Sequence, residues 1–310
     1  EMRALVIGYG SIGMRHTEVL KSLGCIVSIV TKRKQSIERC FSNISDAINK
    51  EKPEYIVIAN KTNEHIKTLI ELKKIGFKGN ILIEKPLSHN LLEIPDKDFN
   101  NVFIAYNMRF NPLLQRLIHE LEGEKIISSQ AYVGQYLPDW RPKRDYRKSY
   151  SAKKIEGGGV LRDLSHELDF VCWLFGGWRR VIAIGGHYSE LEIDSDDVFG
   201  LMLETINCPL SLVQLNYLDR SSRREIIVNT NQHVFKIDFI KQTFQKDNNI
   251  IASDFDSNYS YLMQHKAIME NDYKCLCNFD SGKDILRLII AAEKSAYSEN
   301  NNWIRNETNL

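Results

Sequence analysis

The chain has 310 residues, with 41 Lys plus Arg against 40 Asp plus Glu and a net charge of +1. That balance argues against a surface built chiefly for nucleic acid or an acidic membrane. Apolar residues make up 43% and charged residues 26%, an ordinary globular mix whose length suggests about two domains at roughly 150 residues each. No apolar run reaches the roughly 18 residues of a membrane helix, and the start lacks the charged-then-apolar pattern of a secretory leader. The six cysteines (Cys25, Cys40, Cys172, Cys208, Cys275, Cys277) form no CxxC pair, so reduced thiols in a cytosolic protein are expected, without a metal site.

Arg3-Ala-Leu-Val-Ile-Gly8 is a short apolar run ending in glycine, which suits a strand buried on both faces. Ile12 to Leu23 carries an apolar stripe at helical spacing, with Gly24 as its C-cap. Cys25–Val30 reads as a second strand, and Phe41–Lys50 as a helix that stops before Pro53. Tyr55–Ala59 is a third strand, Thr62 caps a helix running to about Lys74, and Asn80–Glu84 and Val102–Tyr106 are the fourth and fifth strands. Strands separated by helices of this length imply a doubly wound parallel sheet.

The pattern then changes. Pro112–Leu121 is a helix, Ile126–Gln135 is strand-like, and one helix is predicted from about Val160 to Leu174. Strand-like runs near 179–188, 197–205, 209–218, 224–229 and 233–239 lack intervening helices, which predicts a largely antiparallel open sheet in an α+β domain. Residues 241–257 are polar and read as a mobile loop, followed by helices near 258–270 and 282–298. The expected division is 1–107 for a dinucleotide-binding domain and 108–281 for a substrate and oligomerisation domain, with helix 282–298 a candidate to pack back on the first.

Gly8-Tyr-Gly10-Ser-Ile-Gly13 matches G-x-G-x-x-G between the first strand and first helix, the fingerprint of a Rossmann-type domain. Gly8 makes the tight turn, Gly10 admits a pyrophosphate, and Gly13 lets the helix pack on the strand. The backbone of Ser11 and Ile12 opens the helix toward the phosphates. An NAD site commonly has a carboxylate at the end of the second strand, but Val30-Thr31-Lys32-Arg33-Lys34 has none. A hydroxyl followed by cations suits a 2′-phosphate, so NADP(H) is favoured; a solvated basic turn that also admits NAD(H) is the alternative.

With Glu84-Lys85-Pro86 after the fourth strand and Gly157-Gly-Gly-Val-Leu-Arg-Asp163-Leu-Ser-His166-Glu-Leu-Asp169 further on, the chain resembles the Gfo/Idh/MocA family of sugar-type oxidoreductases. The resemblance spans most of the chain. It implies that Glu84 and Lys85 lie at the cofactor, Lys85 beside the nicotinamide and the reacting hydroxyl, with a cis peptide before the proline directing it. An alcohol that loses hydride must also lose a proton, and a histidine flanked by carboxylates suits that task. On one helix Asp163, His166 and Asp169 would share a face pairwise. Family members commonly have four residues from this aspartate to the histidine; here there are three. The resemblance extends less closely to Asn60 and His65 at the nicotinamide ribose. It also places Asn107 and Arg109 near the substrate, although Arg109 reads equally as an ion-pair residue.

The segment from Tyr136 to Tyr150 carries five cations and four aromatics, Trp140, Arg144 and Tyr146 among them. Guanidinium forks and aromatic faces suit an anionic sugar or nucleotide-linked sugar; packing on a neighbouring subunit is the other reading. The loop together with Asp-Leu-Ser-His-Glu-Leu-Asp resembles family members of surface-polysaccharide or acidic-sugar pathways. The partly apolar alternation over 212–218 suggests a homo-oligomer contact through the open sheet. His119, His187, His233 and His265 are scattered and receive no role. The resulting expectation is an NAD(P)-dependent enzyme acting on a CH–OH group. A non-catalytic cofactor-binding sensor and an imine or enone reductase are the alternatives.

Overall fold

The computed structural model describes residues 1–33, 38–95 and 99–309. Its elements begin with β1 (Arg3–Ile7), α1 (Ser11–Ser22), β2 (Ile26–Val30), β3 (Cys40–Phe41), α2 (Ile44–Glu51), β4 (Tyr55–Ile58), α3 (His65–Ile75), β5 (Asn80–Ile83) and β6 (Val102–Ile104). Next come α4 (Pro112–Glu120), β7 (Ile126–Gly134), α5 (Val160–Asp163), α6 (His166–Phe175), β8 (Trp178–Gly186), β9 (Val198–Thr205), β10 (Leu210–Asn216), β11 (Arg223–Thr230) and β12 (Val234–Asp238). The chain finishes with β13 (Thr243–Lys246), β14 (Asn249–Ala252), α7 (Tyr259–Met269), β15 (Cys277–Asn278), α8 (Phe279–Tyr297) and β16 (Ile304–Arg305). Two compact units result, Glu1–Phe110 with Asp256–Asp284, and Asn111–Phe255 with Ile285–Leu310.

The first unit is built on a sheet ordered β15-β6-β5-β4-β1-β2-β3. All its pairings are parallel except that of β15 with β6. Leu5, Val6, Ile56, Val57, Ile81 and Leu82 are fully buried, as continuous apolar runs require when helices cover both faces. The order reverses between β1 and β4, which opens a crevice at the carboxyl ends of these strands. Asn43 caps α2 by accepting the Asp46 N–H at 2.8 Å, and Gly76 ends α3 at φ 88°. Residues 41–43, expected to open that helix, instead end β3 and supply the cap.

Helix α7 belongs to this first unit, because Ala267 and Ile268 share its core with Ala4, Val57 and Phe103. The expected boundary, which gave 258–270 to the second domain, therefore differs from the division observed. The later helix differs in the opposite sense, since residues from Ile285 onward belong to the second unit. Its Glu293 pairs with Arg162, and its Ser295 Oγ accepts the Ala183 N–H at 3.0 Å.

The second unit carries a nine-stranded sheet ordered β14-β13-β12-β11-β7-β10-β9-β8-β16. Only β7 and β10 run parallel; the other neighbours are antiparallel. Alternation buries Ala131, Val133, Val213, Leu215, Ile226 and Val228 on one face. The other face leaves Ile184 64% and Met202 41% exposed. The expected loop over 241–257 contains a hairpin, β13 with β14. Phe244 is buried, and Asp247 takes the left-handed conformation at φ 52° in the turn. Its polar composition hid the hairpin, in which Phe244 alone is buried.

The single helix predicted over 160–174 is two. Leu164, at φ −101° and ψ 29°, ends α5, and α6 starts at His166. Arg162 of α5 grips Glu293 through two bonds of 2.9 and 3.0 Å, while Glu167 of α6 receives Arg224 through bonds of 2.6 and 3.0 Å. Two separately anchored segments replace one continuous face. Asp163 and His166 are thus not related by the helical i, i+3 geometry expected of them.

Candidate active site

In the first unit the carboxyl ends of β1, β2, β4 and β5 present Gly8, Thr31, Asn60 and Glu84 in turn. Gly8 has φ 98°, and a Cβ there would stand 2.6 Å from the backbone of Ala59 and Asn60. A Cβ at Gly13 would collide with the Gly8 carbonyl, so this helix passes where only hydrogen fits. Gly10 differs: nothing lies within 4 Å of the Cβ direction. That open cradle sits at the N-cap of α1, whose first turn carries no acidic residue. Met14 N–H makes the first bond of the helix ladder, to Gly10 O at 2.9 Å, so the N–H groups of Ser11, Ile12 and Gly13 precede it. Asn60 Oδ1 is buried and lacks a hydrogen-bond partner among the described residues. These features fit a dinucleotide: a diphosphate over the open glycine and a donor for the orphaned amide oxygen.

At the adenosine end, Thr31 N–H donates to Phe41 O at 3.0 Å and Thr31 Oγ1 accepts the Arg33 N–H at 3.2 Å. Lys32 and Arg33 are exposed; Lys34 lies outside the described residues. His65 is buried, with Nδ1 at 3.1 Å from Pro86 O and Nε2 at 3.3 Å from Asn60 O. Burial pushes its pKa down, against the pull of those carbonyls and of Glu84. The structure therefore shows His65 bracing the loops after β4 and β5.

The Lys85–Pro86 peptide is cis. Glu84, just before it, is 8% exposed. It bonds His16 Nε2 through Oε1 at 2.8 Å and accepts the Lys85 N–H through Oε2 at 3.1 Å. Burial alone would raise its pKa, but the bond and charge of His16, then Lys85 and His65, outweigh it and hold the carboxyl below its ordinary range. Asn107 and Arg109 are buried, and Arg109 Nη1 donates to Leu276 O at 3.3 Å.

In the second unit Asp163 is buried and accepts the Tyr217 O–H at 2.6 Å; the exposed-edge Tyr150 also hydrogen bonds it. Burial first, and then the Asp163 charge, push the Tyr217 phenol well up, so it stays a donor. Trp140 meets the Tyr217 ring edge-on at 5.3 Å. The sequence marked Tyr217 only as one of an alternating run; its place beneath Asp163 had no local signal. Asp169 is fully buried on α6, and His166 opens that helix.

The glycine triplet is explained by packing within this unit. A Cβ at Gly158 would strike the Tyr150 carbonyl, and one at Gly159 the Asp196 carboxylate. Asp196 Oδ2 accepts the Leu161 N–H at 3.0 Å. Burial lifts its pKa to about 6, with Glu293 and Asp163 adding to the rise and backbone bonds opposing it.

In the basic segment Arg147 is held by Asp145 at 2.9 Å and by Glu192 at 2.7 Å. Tyr146 Oη accepts the Glu192 N–H at 3.2 Å. Arg141, Lys143, Arg144 and Lys148 stay exposed. One of the five cations thus braces the loop, and four face solvent.

A glycine cradle at a helix start, on the reversal point of a parallel sheet, joined to an α+β unit, defines a nicotinamide-dependent oxidoreductase. The chain belongs to the Gfo/Idh/MocA family. Residues 2–96 match the model of the oxidoreductase family with an NAD-binding Rossmann fold, and residues 114–234 that of the Gfo/Idh/MocA C-terminal domain. No curated protein matches the sequence. Among solved structures, levoglucosan dehydrogenase in complex with NADH and levoglucosan is similar at a TM-score of 0.83 and 16% identity, covering 98% of each chain. The WlbA dehydrogenase from Bordetella pertussis, in complex with NADH and UDP-GlcNAcA, has a TM-score of 0.77 at 18% identity over 99% of each chain. GenD2 from gentamicin A biosynthesis, in complex with NAD, has a TM-score of 0.81 at 16% identity, covering 99% of this chain and 97% of its own. None of the helices among the described residues is long and apolar enough to cross a membrane.

Proposed function

We propose that this oxidoreductase interconverts a hydroxyl and a keto group on a sugar or nucleotide-sugar derivative. When bound, the nicotinamide exchanges hydride at its C4. Lys85 holds and polarises the substrate oxygen, and His166 takes the hydroxyl proton during oxidation and returns it during reduction. Asp163 and Asp169 tune the surroundings of His166. Asn107, Arg109, Trp140, Arg144 and Tyr146 select the substrate. The four exposed cations of the basic segment favour an anionic one. Solved relatives in complex with levoglucosan and with UDP-GlcNAcA support a sugar-type substrate.

The observation that carries this reading is Lys85, directly after the buried, bonded Glu84, at the edge of a glycine cradle that fits a dinucleotide. Thr31, Lys32 and Arg33, without a carboxylate among them, favour NADP(H) over NAD(H). The open sheet face around Ile184 and Met202 serves a homo-oligomer.

Fluorescence titration with NADPH and, separately, NADH tests the cofactor reading, followed by a turnover screen of keto sugars and nucleotide sugars. Saturable binding with NADPH the tighter supports it. Tighter NADH overturns the 2′-phosphate assignment, and binding of neither by folded, cofactor-free protein overturns the function.

A further inference from the structure

Within the first unit four ionisable side chains form a continuous buried chain. Tyr55 Oη lies 2.8 Å from His265 Nδ1, His265 Nε2 lies 2.8 Å from His16 Nδ1, and His16 Nε2 lies 2.8 Å from Glu84 Oε1. Both histidines are fully buried and Tyr55 is 1% exposed. The chain joins the start of β4, α7, α1 and the end of β5, elements far apart in sequence. Its last carboxylate oxygen accepts the N–H of Lys85.

Because both nitrogens of both imidazoles are engaged, the proton pattern is constrained. Each neutral ring has one N–H and one acceptor nitrogen. Glu84 is held ionised and only accepts, so His16 carries its proton on Nε2. Burial pushes the Tyr55 phenol well up, so Tyr55 stays a neutral phenol beside His265 Nδ1. The four contacts then join that phenol to one negative charge, at Glu84, through the two imidazoles. Burial, and secondarily the proximity of His16, also hold the His265 pKa well below its ordinary value, which agrees with a neutral ring.

Other groups around the chain fit this polarity. Tyr261 of α7 meets the His16 ring edge-on at 5.7 Å and carries Arg15 over its face at 4.9 Å. Cys25 lies near Tyr55 and pushes its pKa further up, while Lys85 and His65 face Glu84 and draw its pKa down.

We propose that His16 and His265 are positioning residues. Anchored by Tyr55, they form a hydrogen-bond chain that keeps Glu84 aimed at the Lys85 backbone and fixes the peptide from which the lysine projects. The chain ends on a buried phenol, so it orients and does not conduct protons to solvent. This inference rests on the role given to Lys85 above.

The test has two arms on the intact protein. Nitrogen-15 NMR of labelled histidines, assigned through His16→Gln and His265→Gln, reads the tautomers without a substrate. His16 is expected to carry a proton on Nε2, toward Glu84, and His265 is expected to stay a neutral ring. A bare Nε2 on His16 or a charged His265 overturns the chain. The second arm compares wild type with Tyr55→Phe, a mild variant whose folding is checked by Tm, and with His16→Gln. Both use binding of NADPH and of NADH, and turnover of UDP-GlcNAcA or levoglucosan with either dinucleotide.

The expected kcat falls about 10- to 100-fold at constant cofactor affinity, as for a misplaced reacting group. The acid limb of the kcat–pH profile is expected to move up by about one unit in His16→Gln as Glu84 loses its partner. A fall in kcat that follows only the folded fraction, with the profile unmoved, overturns the positioning role. Inactive wild type with the expected tautomers refutes the functional reading alone. Wrong tautomers in an active enzyme refute the chain alone.

Discussion

Glu84 of the first unit and Asp196 of the second are buried to nearly the same degree, 8% and 5% exposed, yet their carboxyls shift in opposite directions. Glu84 receives a histidine and stands near a lysine, and its pKa falls. Burial raises the Asp196 pKa to about 6, with backbone N–H groups opposing the rise and the negative Glu293 and Asp163 adding to it. Burial pushes both carboxyls up; at Asp196 it prevails, with the two acidic neighbours adding to it, and at Glu84 the cationic neighbours reverse it. One unit thus holds a fixed negative charge beside a lysine. The other holds a carboxyl that changes state just below neutral pH, in contact with the segment that carries Asp163.

The largest effect that would break this comparison is at the lysine. Lys85→Ala is expected to lower kcat by about 10³-fold while the Kd for NADH changes by less than about threefold. Parallel single-turnover and fluorescence measurements check it. An equal loss in both would make Lys85 a cofactor-binding residue and Glu84 part of the same cradle.

Asp196→Asn tests the opposite member. The folded pKa lies above the unfolded value near 3.8, so the group's stabilising contribution is complete below about pH 3.8 and is lost as pH rises through about 6. The asparagine variant keeps an acceptor for the Leu161 N–H and escapes that loss. Relative to wild type it should therefore gain on the order of 2–3 kcal/mol between pH 4 and pH 7.5. Urea denaturation at the two pH values measures this. A constant difference would show that Asp196 is ionised throughout, like Glu84.

The two units also differ in how far their sequences could be read. In the first, continuous apolar runs and three glycines with separate steric reasons made the parallel strands and the cradle legible before any coordinates. In the second, Leu164 breaks a run whose apolar spacing is uniformly helical, because Arg162 and Glu167 are held by partners 131 and 57 residues away. No local pattern contains those partners. The same limit hid the role of His265. It lies on α7, whose short apolar stripe gives no hint that it returns to the first unit, 249 residues from His16. The hairpin at 243–252 was hidden differently, because Phe244 alone is buried and both strands are otherwise in contact with solvent, which leaves no periodic signal.

The glycines allow a finer separation of fold from binding. Gly13→Ala would drive a methyl group into the Gly8 carbonyl and is expected to lower Tm. Gly10→Ala meets open space at an ordinary backbone φ of −85°, so Tm should hold. Its methyl group would occupy the pyrophosphate position, and NADH affinity should fall about thirtyfold, or about 2 kcal/mol. Unchanged affinity in folded Gly10→Ala protein would place the diphosphate elsewhere.

The smallest effect concerns which dinucleotide enters. Thr31 ends β2 with its hydroxyl accepting the Arg33 N–H, a turn that aspartate reproduces because its carboxylate accepts the same bond. Thr31→Asp should therefore leave the strand end in place and change only its charge. A carboxylate repels a 2′-phosphate and accepts from a ribose 2′-hydroxyl. The NADPH-to-NADH affinity ratio should fall about tenfold, equivalent to about 1.4 kcal/mol. The effect is modest because Lys32 and Arg33 are exposed and remain able to pair with phosphate through solvent. Raising the salt concentration should weaken NADPH binding in both proteins while sparing NADH, since screening acts on the exposed cations. A ratio that ignores both the substitution and the salt would mean that the turn after β2 does not face the adenosine ribose.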